Sequence, residues 1–221
     1  MKTIYLFFFG MFVGTLALSA QNDINKLDSN GKRHGLWKKY YANKQLRYEG
    51  TFDHGKEIGT FKFYCEICKD QPEVVKEFSK DGTASVKFYS KEGKLMSEGR
   101  MNGKNKMGVW IFYAEESETP IMQENYKNGV LDGEKLLFYP DGSITEKLLF
   151  VNGVQEGESL FYSPKGIVLK QLTFSNNKLN GPAIYRDASG NITMKGNYKD
   201  GQNSGTWLFY KNGRVLFDKT Y

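Results

Sequence analysis

The chain has few of the residues on which most enzymes and metal proteins rely. Its 221 residues include two cysteines and two histidines. No His-Glu-x-x-His, Gly-x-Ser-x-Gly, phosphate-loop or dinucleotide-binding motif occurs in the sequence. Because the sequence offers neither a nucleophile with a base nor a ligand set for a catalytic metal, we expect a protein that is not an enzyme and has no cofactor and no metal.

Runs of like charge are also missing, although the formal net charge is +6. The 31 basic and 25 acidic residues are spread along the whole chain. Basic arms that bind nucleic acid are blocks of like charge, so we expect no nucleic acid partner. A mild positive charge favours anionic envelope surfaces, but charge dispersed in this way is typical of an ordinary solvated surface.

Long apolar segments are confined to the N-terminus. Lys2 precedes an almost wholly apolar stretch from Ile4 to Leu18, and small residues lead to Ala20 before the chain turns polar. This order is typical of a secretory signal peptide. The apolar stretch is about 15 residues long, whereas a membrane-spanning helix needs roughly 20. We expect residues 1–20 to be a signal peptide and residues 21–27 a short linker.

The N-terminal pattern also predicts where the protein is located. A cleaved signal peptide implies export to the periplasm, to the outer surface or out of the cell. No later segment is long and apolar enough to span a membrane as a helix. We therefore expect a mature protein that is not transmembrane after cleavage.

Helical periodicity is absent, and a turn signal recurs instead. Pairs of the Asn-Gly type return about every 24 residues along the chain. A second glycine and an aromatic-rich run follow, as in Gly108-Val-Trp-Ile-Phe-Tyr113 and Gly205-Thr-Trp-Leu-Phe-Tyr210. Asn-Gly pairs between apolar runs are the strongest short-range signal of a β-hairpin. The sequence predicts an all-β protein over residues 28–221: an elongated, twisted antiparallel β-meander of about eight hairpin repeats of roughly 24 residues.

The repeated pattern Asn-Gly-x-x-x-Gly-x-Trp-x-x-Tyr, followed by Asp-Gly-x-Ile, resembles the bacterial variant of the MORN repeat. That group includes proteins labelled YwqK-type antitoxins. The resemblance covers nearly all of residues 28–221. It implies an elongated, twisted antiparallel sheet and a scaffold that contacts protein or lipid.

Aromatic residues follow the second glycine of the repeats. The candidate ligand or partner contacts among them are Trp37, Phe61, Trp110, Phe112, Trp207 and Phe209. Two interpretations are open. The rings pack against one another across neighbouring repeats, or they form a ladder that stacks a carbohydrate or a lipid. Strands such as Val109–Tyr113 keep the second interpretation open, because both of their faces are apolar and no helix is predicted to cover one of them.

The two cysteines, Cys65 and Cys68, lie in a longer predicted loop. A zinc site would need two further ligands, but His34 and His54 are predicted at the opposite edge of the meander, about 20 Å away. We expect a Cys65–Cys68 disulfide in an oxidising compartment, with free thiols as the alternative. A second longer loop begins at Glu115. Both loops should share one edge, where specific contacts are most readily built.

Three acidic residues and the last strand each have a functional and an ordinary interpretation. Glu49, Glu98 and Glu124 recur at one place in their repeats, where we expect a solvated polar stripe with cross-strand ion pairs rather than a catalytic pair. The run Val215–Tyr221 predicts an edge strand. It either pairs with a second copy or a partner strand, or its charges prevent such pairing.

These features favour an exported, non-enzymatic repeat scaffold that mediates protein–protein interaction at the cell envelope or outside the cell. One alternative is a carbohydrate- or lipid-binding module that uses the aromatic ladder. Another is an antitoxin- or immunity-like protein of the YwqK type, although an exported chain has no visible reason to meet a cytoplasmic toxin. The expected partner is a protein, and an envelope glycan or lipid is the other candidate.

Overall fold

The computed structural model of the protein describes residues 24–67, 71–117 and 119–221. In these residues the chain forms eighteen β-strands and no helix. The strands are β1 Lys26–Leu27, β2 Arg33–Tyr40, β3 Leu46–Asp53, β4 Lys56–Phe63, β5 Val74–Phe78, β6 Thr83–Tyr89, β7 Leu95–Asn102, β8 Asn105–Tyr113, β9 Pro120–Lys127, β10 Val130–Phe138, β11 Ile144–Val151, β12 Val154–Gln155, β13 Gly157–Tyr162, β14 Val168–Ser175, β15 Lys178–Arg186, β16 Ile192–Lys199, β17 Gln202–Lys211 and β18 Arg214–Thr220. None of the described segments is a helix that could cross a membrane.

The strands form one open antiparallel meander. Strands that follow one another along the chain pair with each other, except β12 and β13, which both pair with β11 and act as one interrupted strand. The predicted all-β antiparallel meander is confirmed. The predicted signal peptide lies outside the described residues. Of the predicted linker, Lys26–Leu27 form β1 and pair with β2.

Two-residue turns join strands along one side of the sheet, which we call the turn edge. His54 and Gly55, between β3 and β4, have φ of 46° and 86°. Asn128 and Gly129, between β9 and β10, have φ of 52° and 83°. A type I′ turn requires positive φ at both central residues, which glycine and asparagine adopt at the least steric cost. This requirement explains why Asn-Gly pairs recur through the chain.

The opposite side of the sheet, which we call the loop edge, carries the longer connections. Two of them exceed the others: residues 64–73 between β4 and β5, and residues 114–119 between β8 and β9. The turn at 90–94, between β6 and β7, lies between these two loops. The prediction that both longer loops share an edge is confirmed.

The core of the sheet contains aromatic rings that lie flat against glycines of the preceding strand. Three such pairs occur in the described residues: Gly50 with Phe61, Gly99 with Trp110, and Gly196 with Trp207. The three rings are 1%, 0% and 1% exposed, respectively. A Cβ atom on any of these glycines would overlap the ring. Glycine is therefore required here by the close approach of the ring, a known device for covering glycine within a sheet.

The tryptophans are also held by their one polar atom. Trp110 Nε1 donates a hydrogen bond to the carbonyl oxygen of Arg100 at 3.0 Å, and Trp207 Nε1 donates to the carbonyl oxygen of Asn197 at 3.1 Å. In both cases the acceptor is the residue that follows the glycine beneath the ring. Because a buried indole N–H needs a partner, this bond fixes the orientation of the ring as well as its burial.

In a repeat that has no glycine at this position, the aromatic ring opposite it is replaced as well. Leu172 in β14 faces Ala183 in β15 in register, and these residues are 7% and 1% exposed. They belong to the same buried cluster as Trp207. A large side chain therefore faces a small one in either order, and the two arrangements fill similar space at native packing density.

Exchange of the two arrangements tests this complementarity. Gly99→Leu alone should lower the free energy of unfolding by about 1–3 kcal/mol or more through overpacking. Trp110→Ala alone should lower it by about 3–5 kcal/mol, since a cavity is left. The double variant reproduces the Leu172–Ala183 pair, so it should lose at least about 1 kcal/mol less than the sum of the single variants. Urea unfolding measures all three proteins. Strictly additive losses would show that the two positions do not fill a shared space.

Candidate functional site

The predicted aromatic ladder divides into buried and half-buried rings. Phe61, Trp110 and Trp207 are almost fully covered. Trp37 and Phe112 are half-buried. Since a ligand stacks only on an accessible ring face, the ligand-stacking interpretation does not apply to these three buried rings in the folded sheet. They belong to the core, in line with packing across neighbouring repeats.

The last two strands place Phe209 at the surface of the sheet. Phe209 is half-buried and stacks on Phe217 of β18, with ring centroids 4.4 Å apart and an interplanar angle of 12°. Within the described residues β18 pairs with β17 alone, and all of its residues are exposed. The role of Val215–Tyr221 as a contact edge stays a prediction.

The cysteine prediction falls only partly on described residues. Cys65 is disulfide-bonded. Cys68 lies outside the described residues, so its pairing with Cys65 stays a prediction. The histidines lie on the turn edge and Cys65 follows β4 at the loop edge.

Glu49 and Glu98 stand at one place in their repeats and form the predicted cross-strand ion pairs. Glu49 Oε2 lies 3.2 Å from Lys38 Nζ, and Glu98 Oε2 lies 3.7 Å from Lys87 Nζ. Each carboxylate also accepts a hydrogen bond from a tyrosine at the end of the next strand: Tyr64, which follows β4, donates to Glu49, and Tyr113, the last residue of β8, donates to Glu98. The cross-strand pairs expected at Glu49 and Glu98 are confirmed.

The prediction that Glu124 shares their position is wrong. Glu98 is the third residue after Leu95, the first residue of β7, whereas Glu124 is the fourth residue after Pro120, the first residue of β9. Glu124 therefore takes the position of Gly99. Because successive residues of a strand face opposite sides, a difference of one residue moves the side chain to the other face. The longer loop at 114–119 conceals this shift in the sequence.

Glu124 consequently belongs to the core row, by which we mean the positions that Gly99 and Trp110 occupy in their repeat and their equivalents in other repeats. The partner of Glu124 in this row is a lysine instead of an aromatic ring. Lys135 in β10 faces Glu124 in register, and its Nζ lies 2.9 Å from Glu124 Oε1. Tyr126 donates a hydrogen bond to Glu124 Oε2 at 2.6 Å. Burial alone would raise the pKa of Glu124, but the hydrogen bonds from Tyr126 and Lys135 outweigh it and hold the pKa below its usual value. The carboxylate is ionised at neutral pH.

A second lysine lies beside this pair. Lys106 Nζ is 4.6, 4.7 and 4.8 Å from the ring centroids of Trp110, Phe112 and Tyr126. Burial lowers the pKa of Lys106, and the charge of Glu124 opposes that shift. Glu124 and Lys135, in β9 and β10, lie along the meander between the buried cluster around Trp110 and the one around Trp207, and Lys106 lies against the first cluster. We call these three residues the polar seam: Glu124 and Lys135 form an ion pair, and Lys106 lies over aromatic rings.

A pocket of about 700 Å³ opens at the loop edge. It lies between the turn at 90–94 and the longer loop at 114–119, where the chain departs from the regular repeat. We call it the loop-edge pocket. Its lining includes Tyr89, Lys94, Leu95, Tyr113, Glu115, Glu116 and Ser117. Two aromatic rings and a leucine thus adjoin two carboxylates that belong to exposed residues.

The strand side of the loop-edge pocket is fixed by a hydrogen bond. Tyr113 donates from its hydroxyl to Glu98 Oε1 at 2.7 Å. Burial and this bond to a carboxylate raise the pKa of Tyr113 to about 12. The tyrosine is therefore neutral and anchored at physiological pH, and its ring offers a preorganised wall to whatever enters the pocket.

The sequence did not predict a cluster that the structure brings together at the turn edge. The rings of His34 and His54 have centroids 4.8 Å apart, and Asp53 lies beside both. Ligand atoms of the three residues all lie within 4.8 Å of one another. The signal that the sequence offers is that both histidines are predicted at turns of the same edge. The sequence alone does not place Asp53 beside them.

Comparison with protein families finds the MORN repeat variant at three places in the chain, residues 33–54, 131–152 and 155–176. Each match covers a hairpin of the sheet, so the resemblance and the structure agree on the repeating unit. MORN repeats are a non-catalytic repeat type and often serve as binding scaffolds. The matches do not identify the YwqK-type group. No curated protein matches the chain.

Proposed function

We propose that this protein is an exported, non-enzymatic repeat scaffold that binds a segment of another protein in the loop-edge pocket. The observation that carries the proposal is the pocket itself. It adjoins the turn and the inserted loop at which the regular repeat is interrupted, and loops on a rigid scaffold are where specific contacts concentrate. Elsewhere along the loop edge, short turns such as 139–143 follow the repeat.

The lining of the loop-edge pocket indicates the chemistry of the partner. Tyr89, Leu95 and Tyr113 offer an apolar surface, and Glu115 and Glu116 add two negative charges, of which Lys94 in the same lining offsets one. The chain as a whole is positive, so this acidic loop contrasts with its surroundings. An extended segment that presents an apolar side chain next to lysine or arginine would satisfy both features.

Two features support export. The first is the N-terminal sequence, whose charged start, apolar stretch and small-residue end are typical of a signal peptide. The second is the disulfide at Cys65, since disulfides persist mainly in oxidising compartments. An exported scaffold would meet its partner in the cell envelope or outside the cell.

Export has a direct test in the mass of the mature protein. After expression in a host that secretes it, the intact protein should begin at Gln21. A membrane-embedded species that retains Met1 would show that the N-terminal segment is an anchor and not a cleaved signal.

The partner site can be tested by crosslinking. A photoreactive amino acid at Ser117, which lines the loop-edge pocket, should give a specific adduct with one envelope or secreted protein. The same probe at Ser189, an exposed residue of the regular turn at the same edge, serves as the matched control and should not. The crosslinked protein is then purified, and its affinity for the scaffold is measured directly.

Two variants decide whether the loop-edge pocket holds that protein. Replacement of residues 114–119 by the turn 139–143, and the charge reversal Glu115→Lys with Glu116→Lys, should each weaken binding at least tenfold. The reversal should matter more at low salt, because exposed charges are screened at high salt. Glu77→Lys, a reversal on an exposed residue outside the pocket, should leave binding unchanged. Equal binding by all variants, each with normal unfolding, would refute the assignment of the pocket.

A further inference from the structure

Both histidines of the chain meet at the turn edge. His34 is the second residue of β2, and His54 and Asp53 lie where β3 enters the turn to β4. We propose that His34, Asp53 and His54 form a binding site for a divalent transition metal ion, and that zinc is the ion that fits best. This site is separate from the loop-edge pocket, which lies on the opposite side of the sheet.

The distances between the ligand atoms suit one shared ion. His34 Nδ1 lies 3.5 Å from Asp53 Oδ1, and His54 Nε2 lies 3.8 Å from the same oxygen. Ligand atoms of a tetrahedral zinc ion, each about 2.0–2.1 Å from the metal, stand about 3.4 Å apart. The three side chains are 50%, 56% and 62% exposed, so small rotations close the remaining difference. Water would supply the fourth ligand.

A buried carboxylate behind His54 orients its ring. Asp28 Oδ2 lies 2.5 Å from His54 Nδ1, and the Asp28 side chain is 6% exposed. The other oxygen of Asp28 accepts hydrogen bonds from the backbone N–H groups of Asn30 and Lys32 at 2.8 and 2.9 Å. Asp28 is thus held in place, and His54 presents Nε2 toward Asp53. Carboxylate–histidine–metal arrangements of this kind fix the tautomer and raise the basicity of the ligating nitrogen.

The donor set selects the class of ion. Two imidazole nitrogens and one carboxylate oxygen suit zinc, copper or nickel, whereas magnesium and calcium prefer oxygen ligands throughout. The carboxylate offsets one charge of the ion, and Asp28 lies behind the site with a second negative charge. A bound ion would tie β2 to the turn between β3 and β4, two segments joined there by a hydrogen bond from the N–H of Gly55 to the carbonyl of Arg33 at 2.7 Å.

The same positions of another repeat carry a simpler arrangement. The N–H of Gly201 donates to the carbonyl of Leu179 at 2.8 Å, as the N–H of Gly55 does to the carbonyl of Arg33. By that equivalence Asn180, Lys199 and Asp200 correspond to His34, Asp53 and His54, and they include no imidazole. A turn of this type therefore forms without the histidines, and this repeat supplies a matched control.

A competing role for His34 is to cap the turn. The backbone N–H of His54 points to His34 Nδ1 at 3.5 Å, which is at the long limit for a hydrogen bond. In a pure capping role the two histidines would affect only the stability of the turn. A metal role adds a binding stoichiometry and an affinity that capping does not produce, so the two roles give different measurements.

Zinc titration of the purified protein tests the site. The protein carries no polyhistidine tag, and no reductant is present, so that the disulfide at Cys65 is retained. Isothermal titration calorimetry should give one equivalent of zinc per chain, and cobalt as a substitute should give the visible absorption of a low-symmetry site. His34→Asn, Asp53→Asn and His54→Asn should each weaken zinc binding at least tenfold, while Asp200→Asn should leave it unchanged.

The Asp28→Asn variant separates a metal site from incidental surface binding. It retains all three ligands, yet loss of the carboxylate behind His54 should weaken zinc binding about 10–100-fold. Zinc should also raise the melting temperature of the wild-type protein and not that of His54→Asn. Absence of zinc binding by the wild-type protein, or affinity that survives all three ligand substitutions while the variants stay folded, would overturn the proposal.

Discussion

The approach of a flat aromatic ring to a bare glycine is the contact on which this sheet depends most. The residues that the structure describes include no helix to cover the sheet, so the sheet buries only what its own strands bring together. A tryptophan or phenylalanine laid across a glycine of the preceding strand reaches nearly complete burial within one sheet. The rule extends to Leu172 and Ala183, where the large and small partners change places. Complementary size across neighbouring strands therefore sets both the register and the core.

The need for complementary size in the core also explains which positions of the repeat depart from the glycine–ring pattern. In the polar seam, Glu124 and Lys135 occupy the positions that a glycine and a ring take in other repeats, and they fill them with an ion pair. The connections at the turn edge and at the loop edge lie outside the core, so their side chains need not match a partner in size. The inserted loop forms the loop-edge pocket, and the turn edge brings His34 and His54 together. The proposed partner site and the proposed metal site both lie outside the core row.

Much of the fold could be predicted from the sequence because its signals are local. A pair such as Asn128-Gly129 specifies a turn through the φ angles of its own two residues, and the recurrence of such pairs implies a meander. The position of Glu124 could not be predicted in the same way, because it depends on how many residues the 114–119 loop uses before β9 begins. The burial of Trp110 depends on Gly99 in another strand. The cluster of His34 and His54 could not be predicted as a three-ligand site, because the position of Asp53 beside both rings follows only from the geometry of the turn.

The stability of the double variant Glu124→Gly with Lys135→Trp tests the central claim most directly. It builds a new glycine–tryptophan pair at the positions of Glu124 and Lys135, which stand in register and correspond to Gly99 and Trp110. Packed apolar groups often equal or exceed a buried ion pair by about 1–4 kcal/mol, so the double variant should be at least as stable as the wild-type protein in urea unfolding. Each single variant should be less stable, because it leaves an unpaired charge or a clash. A double variant less stable than both single variants would contradict the account.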